Sequence, residues 1–172
     1  PSRPHTVVRI PFSSKLRIIV AIPDLPMSTK ASRAVLPSSY SAADVIFNLQ
    51  RVAAIAGGSL VQLDPQVLRE IFQDRLHQPH RAPLVPPFQA CLALADPRLP
   101  SPSSGCSDTS PSSTLPVLAV FLSGSGSCVA AMATDSCDEI GQEMVRLFEK
   151  HSIACVYKVL KVEEQGASVL RE

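Results

Sequence analysis

The stretch PVLAVFLSGSGSCVAAMA (residues 116–133) decides the fold class, because it holds two short apolar runs separated by a Ser/Gly segment. Apolar runs of this length, bounded by turn residues, are typical of buried strands. Glycine and serine favour tight turns, so residues 123–127 predict the loop of a hairpin. Two strands joined so closely must be antiparallel, because a parallel pair needs a long crossover connection.

Further strands and helices are predicted on either side of this hairpin. Residues 16–22 form an apolar run closed by Pro23, and residues 154–162 alternate in polarity, so both predict strands. The segments 41–44 and 136–139 have the form of capping boxes. Apolar residues follow the first of them at helical spacing: Val45, Leu49 and Val52. The order of elements predicts an α+β domain, with a mostly antiparallel sheet and helices on one face.

Composition limits the classes of protein that remain. The chain has 172 residues, of which 45% are hydrophobic, so it can bury the core of one ordinary domain. Its formal net charge is +1, and only 5% of its residues are aromatic. This balance argues against a nucleic-acid-binding protein. No apolar run approaches the length of a membrane span, so no membrane association is expected.

Five cysteines are scattered along the chain, at positions 91, 106, 128, 137 and 155. None forms a C-x-x-C pair, and no histidine lies at a zinc-type spacing from two of them, so no metal site is predicted. An odd, dispersed set indicates reduced thiols in a reducing compartment, such as the cytoplasm or a plastid. The sequence does not decide between these compartments.

One segment differs in kind from the rest. Residues 99–116 contain seven serines and four prolines among 18 residues. This composition predicts a disordered, low-complexity insertion within the domain. We therefore divide the chain into three parts: residues 1–15 as the remnant of a preceding domain or a linker, 16–165 as one domain, and 166–172 as a tail.

Three segments carry candidate binding groups. Thr29 and Arg33 lie four positions apart on a predicted short helix, so they share a face. The segment 74–81 places His77 and Arg81 near a helix end, together with Arg75 and His80. Two guanidinium groups that converge suit a carboxylate or a phosphate. Taken singly, each of these residues is also typical of a solvated surface.

The third segment is the hairpin loop. Its glycines allow a sharp turn and bring backbone N–H groups close to an anion. The loop residues of interest are Ser123, Gly124, Ser125 and Gly126. An ordinary turn with no ligand remains the alternative.

Taken together, these three segments resemble a known family. IPDLPMSTKASRAVLP (22–37), DRLHQPHRAPLVP (74–86) and LSGSGSCV (122–129) resemble motifs of homoserine kinases in the GHMP small-molecule kinase superfamily. The family pattern is T-x-x-x-R-x-x-L-P, D-x-L-H-x-P-x-R and S-G-x-G-P-T. The likeness runs from about residue 16 to about residue 162, and Ser127-Cys128 stands where the pattern has Pro-Thr.

The resemblance implies a fold, an activity and roles for individual residues. The fold is that of a GHMP-kinase C-terminal domain, and the activity is transfer of the γ-phosphoryl group of ATP, with Mg²⁺, to the hydroxyl of L-homoserine. It implies that Arg33 and Arg81 bind the substrate carboxylate and that Thr29 lies near the hydroxyl end. It also implies that the loop walls the active site and that His77 supports it. No catalytic residue is identified in this chain.

The family's phosphate-binding motif, P-x-x-x-G-L-G-S-S-A, does not occur in this sequence. In the family that motif lies in an N-terminal half, so this chain resembles the substrate-side half alone. The ATP and Mg²⁺ sites are then expected mainly in the missing half, and we expect the chain to be inactive by itself. Its expected partners are L-homoserine and that half, with a homodimer left open. The alternatives are a GHMP kinase for another hydroxy acid, and a non-catalytic module that binds a small molecule or a subunit.

Overall fold

The computed structural model describes residues 9–96, 115–166 and 169. Most of the Ser/Pro-rich segment, together with residues 1–8 and most of the tail, lies outside the described residues. The predictions made for those segments therefore stay predictions.

A four-stranded antiparallel sheet forms the centre of the molecule. Its strands are β1 (Arg17–Pro23), β2 (Ala119–Leu122), β3 (Val129–Ala133) and β4 (Cys155–Lys161), arranged in the order β2-β3-β1-β4. β2 and β3 form the predicted hairpin, in which Leu122 pairs with Val129. The sequence analysis thus predicted the strands and the antiparallel arrangement correctly, because each strand carries its own local signal, an apolar run in β1, β2 and β3 and alternating polarity in β4.

Seven α-helices are described: α1 (Thr29–Ala34), α2 (Ala42–Ala54), α3 (Leu60–Gln62), α4 (Pro65–Ile71), α5 (Gln78–Arg81), α6 (Phe88–Ala93) and α7 (Cys137–Glu149). Ser41 caps α2 as predicted, because its side chain accepts a hydrogen bond from the N–H of Asp44. The prediction of a second capping box was wrong. Ser136 adopts a left-handed conformation (φ 48°), and its side chain makes no capping hydrogen bond.

Helices pack on both faces of the sheet. α6 and α7 cover one face, where Phe88 and Phe148 pack against Ile19 of β1. On the opposite face, Leu60 and Leu68 of α3 and α4 form a second, smaller core with residues of β2 and β3. The prediction that the helices lie on one face was therefore wrong in part, because α6 and α7 lie on one face and α3 and α4 on the other. Successive residues of a strand point to opposite faces of the sheet. Because the residues of β2 and β3 are apolar on both faces, helices pack on both faces there.

Helix α2 is amphipathic, but its apolar side lies on the outside. Val45, Leu49 and Val52 are 36%, 62% and 60% exposed, and no residue of α2 is buried. Its inner side carries Asn48 and Arg51 instead, whose side chains reach Asp74 and Glu70. Helical periodicity predicted the apolar face correctly, although nothing among the described residues covers it.

Candidate functional site

The three segments that the sequence singled out meet at the side chain of Arg81. Its Nε donates to the carbonyl oxygen of Ser32 in α1 at 3.3 Å. Its Nη1 donates to the carbonyl oxygen of Gly124 in the hairpin loop at 3.1 Å. One guanidinium group from α5 therefore joins α1 to the loop.

A second bond joins α1 to the same loop directly. Ser32 is fully buried, and its Oγ donates to the carbonyl oxygen of Ser125 at 2.7 Å. This contact was not predicted, because a serine in a short helix gives no signal of its own. It holds the loop against the helix that carries Thr29 and Arg33.

Thr29 and Arg33 lie at opposite ends of α1, one turn apart, and both are exposed. The helix begins at Thr29 because the side chain of Ser28 accepts a hydrogen bond from the N–H of Ala31. Arg33 directly follows Ser32, the residue whose carbonyl oxygen binds Arg81. Arg33 therefore lies one residue from the Arg81 contact, and its convergence with Arg81 on one ligand stays a prediction.

His77 lies between Arg81 and Asp74. Its Nδ1 is 3.4 Å from Arg81 Nη1, and because arginine only donates, this nitrogen must be the acceptor. The imidazole proton then resides on Nε2, which lies 3.8 Å from a carboxylate oxygen of Asp74. Burial lowers the pKa of His77, Asp74 opposes that change, and the charge of Arg81 adds to it. His77 is therefore neutral near pH 7 and can accept from Arg81.

Asp74 anchors the turn that presents His77 and Arg81. One carboxylate oxygen accepts from the backbone N–H groups of His77 and Gln78, at 2.7 and 2.6 Å. The other oxygen accepts from the side-chain amide of Asn48 in α2. Burial raises the pKa of Asp74, but these hydrogen bonds and the nearby His77 outweigh burial, so the pKa is lowered from 3.8. The D-x-L-H pattern contained this residue, although the sequence analysis gave it no role.

Gln78 connects the same turn to the sheet. Its side chain is 8% exposed, and its Oε1 accepts from the backbone N–H of Leu122 at 2.9 Å. Leu122 is the last residue of β2 and immediately precedes the loop. The bond therefore fixes the start of the loop relative to the first residue of α5. A glutamine near a helix start carries no periodic signal that identifies this function.

The hairpin loop is held closely at both ends. The N–H of Ser123 donates to the carbonyl oxygen of Cys128 at 2.9 Å, and Ser127 Oγ donates to the carbonyl oxygen of Leu25 at 2.8 Å. Gly124 and Gly126 have φ values of 63° and 88°, a region that residues with a Cβ rarely adopt. The two glycines are thus required by the turn.

This site is an open surface and not an enclosed cavity. The best-formed cavity, about 340 Å³, lies behind Asp74 and is lined by aromatic residues including Phe47, Phe72 and Phe88. Four cavities among the described residues, including this one, are not lined by Arg33, Arg81 or Gly124. No cavity among those described is therefore shared by Arg33 and Arg81.

The fold and the convergence of the three motifs define an α+β domain of the GHMP-kinase C-terminal type. A crystal structure of homoserine kinase from Cytophaga hutchinsonii has the same fold, with a TM-score of 0.72 at 23% sequence identity. The alignment covers 91% of this chain and 45% of that chain. No family model matches the sequence.

Sequence comparison narrows the class further: the chain is similar to the C-terminal part of homoserine kinases. It is 38% identical to homoserine kinase of Schizosaccharomyces pombe over 165 residues and 34% identical to that of Saccharomyces cerevisiae over 166. The first alignment covers 95% of this chain and 45% of the relative, and the second covers 94% and 42%. The chain thus spans less than half the length of these curated relatives.

Two further properties of the described residues bear on function. They contain no helix that is long and apolar enough to cross a membrane. Within residues 9–96 and 115–166, no three His, Cys, Asp or Glu side chains are grouped so that they could hold a metal ion. We therefore name no Mg²⁺ ligand among these residues.

Proposed function

We propose that this chain is the C-terminal, substrate-side half of an ATP-dependent homoserine kinase. The complete enzyme would phosphorylate the hydroxyl of L-homoserine to give O-phospho-L-homoserine for threonine biosynthesis. The observation that carries the proposal is the joining of α1, α5 and the hairpin loop by the side chain of Arg81. The similarity to homoserine kinases over 95% of the chain supports it.

Arg33 and Arg81 are proposed to bind the substrate carboxylate. The contacts of Arg81 with Ser32 and Gly124 use Nε and Nη1, so the two N–H groups of Nη2 are not engaged in them. Arg33 is exposed one residue beyond Ser32, and its guanidinium group can supply a second pair of N–H donors. Two planar guanidinium groups match the oxygens of one carboxylate and fix its orientation. The protein scaffold supports this role because Arg81 is held before any ligand arrives.

Thr29 and the loop are proposed to bind the rest of the substrate. Thr29 lies one helical turn from Arg33, so a small amino acid held at Arg33 would extend towards the Thr29 hydroxyl. Ser123, Gly124, Ser125 and Gly126 would form the wall next to the ligand, with His77 supporting Arg81. These residues would act by positioning, which is the main requirement where bond formation in phosphoryl transfer is loose.

ATP, Mg²⁺ and the group that acts on the substrate hydroxyl are assigned to the N-terminal half. Bound Mg²⁺ would neutralise charge on the transferring phosphoryl group. The sequence lacks a phosphate-binding glycine motif, and the described residues lack a carboxylate cluster. We therefore expect the 172-residue chain alone to show no homoserine-dependent ATP consumption.

The test uses a fusion of the unmatched N-terminal part of the S. pombe relative to this chain. The expected result is ADP release that depends on L-homoserine, measured by a coupled assay. In this fusion, Arg33→Ala should raise KM for homoserine at least tenfold and leave KM for ATP unchanged, because only the amino acid carries the carboxylate. Homoserine-dependent ADP release by the unfused chain would contradict the assignment of ATP to the other half.

The matched control is Lys30→Ala, which removes an exposed cation from the same helix. It should leave both KM values within about twofold, because a solvated lysine contributes little. Equal increases in both KM values for Arg33→Ala would overturn the carboxylate role. A preference of the fusion for another hydroxy acid over homoserine would replace the proposed substrate.

A further inference from the structure

One face of the β1–β4 half of the sheet is apolar and uncovered by the described residues. Val156 and Leu160 of β4 are 61% and 45% exposed. They pair across the ladder with Ile22 and Ile18 of β1, and directly paired residues share a face of the sheet. Val20 pairs with Lys158 between them. We call this surface the uncovered face: it comprises the exposed Val156, Lys158 and Leu160 and the partly buried Ile18, Val20 and Ile22, of which Ile18 also packs against the smaller core.

The same face is buried at the other half of the sheet. There α3 and α4 pack Leu60, Leu68 and Ile71 against β2 and β3. On the reverse side of β4, Tyr157 packs against Gly141 of α7, whereas Val159 further along that side is 39% exposed. On the face of the sheet opposite to Tyr157, the described helices α3 and α4 thus pack on β2 and β3 but leave Val156 and Leu160 of β4 exposed. A contiguous apolar surface of this kind marks an interaction site.

The course of the polypeptide indicates what lies next to this face. Arg9, the first described residue, donates from Nη2 to the carbonyl oxygen of Glu164 at 2.8 Å. Residue 9 therefore lies beside the chain that leaves β4. More than half the length of the curated relatives falls outside the match, and the match is to their C-terminal part. Residues that precede this segment in such a protein would approach the sheet near the end of β4 that carries Lys161.

We infer that the uncovered face of β1 and β4 is the surface on which the N-terminal half of the enzyme packs. This inference rests on the proposed function. The occupant would bring apolar side chains onto Val156 and Leu160 and an acidic group opposite Lys158. A second copy of this chain fits less well, because a two-fold interface brings the same patch together twice and would place two Lys158 ammonium groups in it.

The test compares the 172-residue chain with the fusion to the S. pombe N-terminal part. Val156→Asp combined with Leu160→Asp should change the melting midpoint of the chain little, because both positions are exposed there. In the fusion the same pair should lower the midpoint by at least about 5 °C more, since two carboxylates would be buried. The control Val67→Asp lies on α4, which packs against β2 at the opposite edge, and should have the same small effect in both proteins.

A second measurement needs no substitution. Hydrogen exchange at residues 155–161 should be slower in the fusion than in the chain, whereas exchange at 65–71 should not change. Equal effects of the double substitution in both proteins, or unchanged exchange at 155–161, would overturn the inference. It would also be overturned if the 172-residue chain sedimented as a dimer that the double substitution converts to monomers. Neither readout uses kinase activity, so a folded fusion that does not phosphorylate homoserine would reject the proposed function alone.

Discussion

Ser32 Oγ donates to the carbonyl oxygen of Ser125 at 2.7 Å, although the two residues are 93 positions apart. The bond lies next to the contacts of Arg81 with Ser32 and Gly124. A helix of six residues and a glycine-containing loop have little stability of their own. Their relative position depends on these side-chain bonds to backbone carbonyls.

The first prediction concerns this bond. Ser32→Ala should destabilise the chain by about 1 kcal/mol, because it removes a buried hydrogen bond and leaves the Ser125 carbonyl without that donor. It should also speed hydrogen exchange at residues 124–128. Ser38→Ala, at an exposed position, is the control and should change neither quantity. Unaltered exchange in the loop of the Ser32 variant would show that the Ser32–Ser125 bond is not needed to hold the loop.

The second prediction concerns Gln78. Gln78→Leu should lower the free energy of unfolding in urea by about 1–3 kcal/mol, because the buried N–H of Leu122 would lose its acceptor. The exposed Gln50→Leu is the control, and its effect should stay within about 0.5 kcal/mol. Equal decreases in the free energy of unfolding for the two variants would show that the hydrogen bond between Gln78 and Leu122 does not stabilise the fold.

The third prediction concerns the contact between α7 and β4. A Cβ at Gly141 would lie 2.3 Å from Cδ2 of Tyr157, so the ring must move and its hydroxyl would leave Asp138, now 3.0 Å away. Overpacking costs about 1–3 kcal/mol, which exceeds the gain of about 1 kcal/mol from helix propensity. Gly141→Ala should therefore lower the melting midpoint.

The control for this contact is Gly57→Ala, because a Cβ at Gly57 has nothing within 4 Å. That variant should be neutral or slightly stabilising. A Gly141→Ala protein that melts at or above the midpoint of the Gly57→Ala protein would contradict the close packing of Tyr157.

The fourth prediction concerns pH. The pKa of Asp74 is lowered from 3.8 in the folded chain, so the folded state binds fewer protons than the unfolded state at acid pH. The stabilisation from this carboxylate is present above about pH 4 and is lost as the pH falls through the folded-state pKa. Asp74→Asn should be less stable than wild type at pH 7 by about 1–3 kcal/mol.

The difference between the Asp74→Asn and wild-type proteins should shrink as the pH falls below about 4, when measured by urea unfolding at each pH. Asp64→Asn serves as a comparison, because Asp64 caps α4 at an exposed position away from His77. A constant difference between Asp74→Asn and wild type from pH 7 to pH 2 would rule out the carboxylate charge as the cause.

Local sequence patterns predicted most of the secondary structure. The runs at residues 16–22 and 117–122 became β1 and β2, and the cap at Ser41 starts α2. Such signals depend on residues a few positions apart, so one segment is enough to reveal them. The pattern failed at Ser136, where the capping motif is present but the backbone is left-handed. Motif spacing alone does not report backbone conformation.

The ligand-binding roles of the site residues stay predictions. The resemblance pointed to Arg33, Arg81 and the glycine loop, and the tertiary structure places these segments together. Ser32, Asp74 and Gln78 were missed as positioning residues, because each acts through hydrogen bonds whose partners include residues distant in the chain. A single polar residue has no periodicity, and its partner is known only after folding.

By itself, the sequence determined the strands, the hairpin and the amphipathic helices, because apolar periodicity and turn residues act locally. Only the tertiary structure decided that α3 and α4 cover the second face of the sheet and that α2 keeps its apolar side outward. Periodicity shows that a face is apolar but not what packs against it. The same limit applies to Arg81, whose bonds to Ser32 and Gly124 exist only once segments 43 and 49 positions away have folded around it.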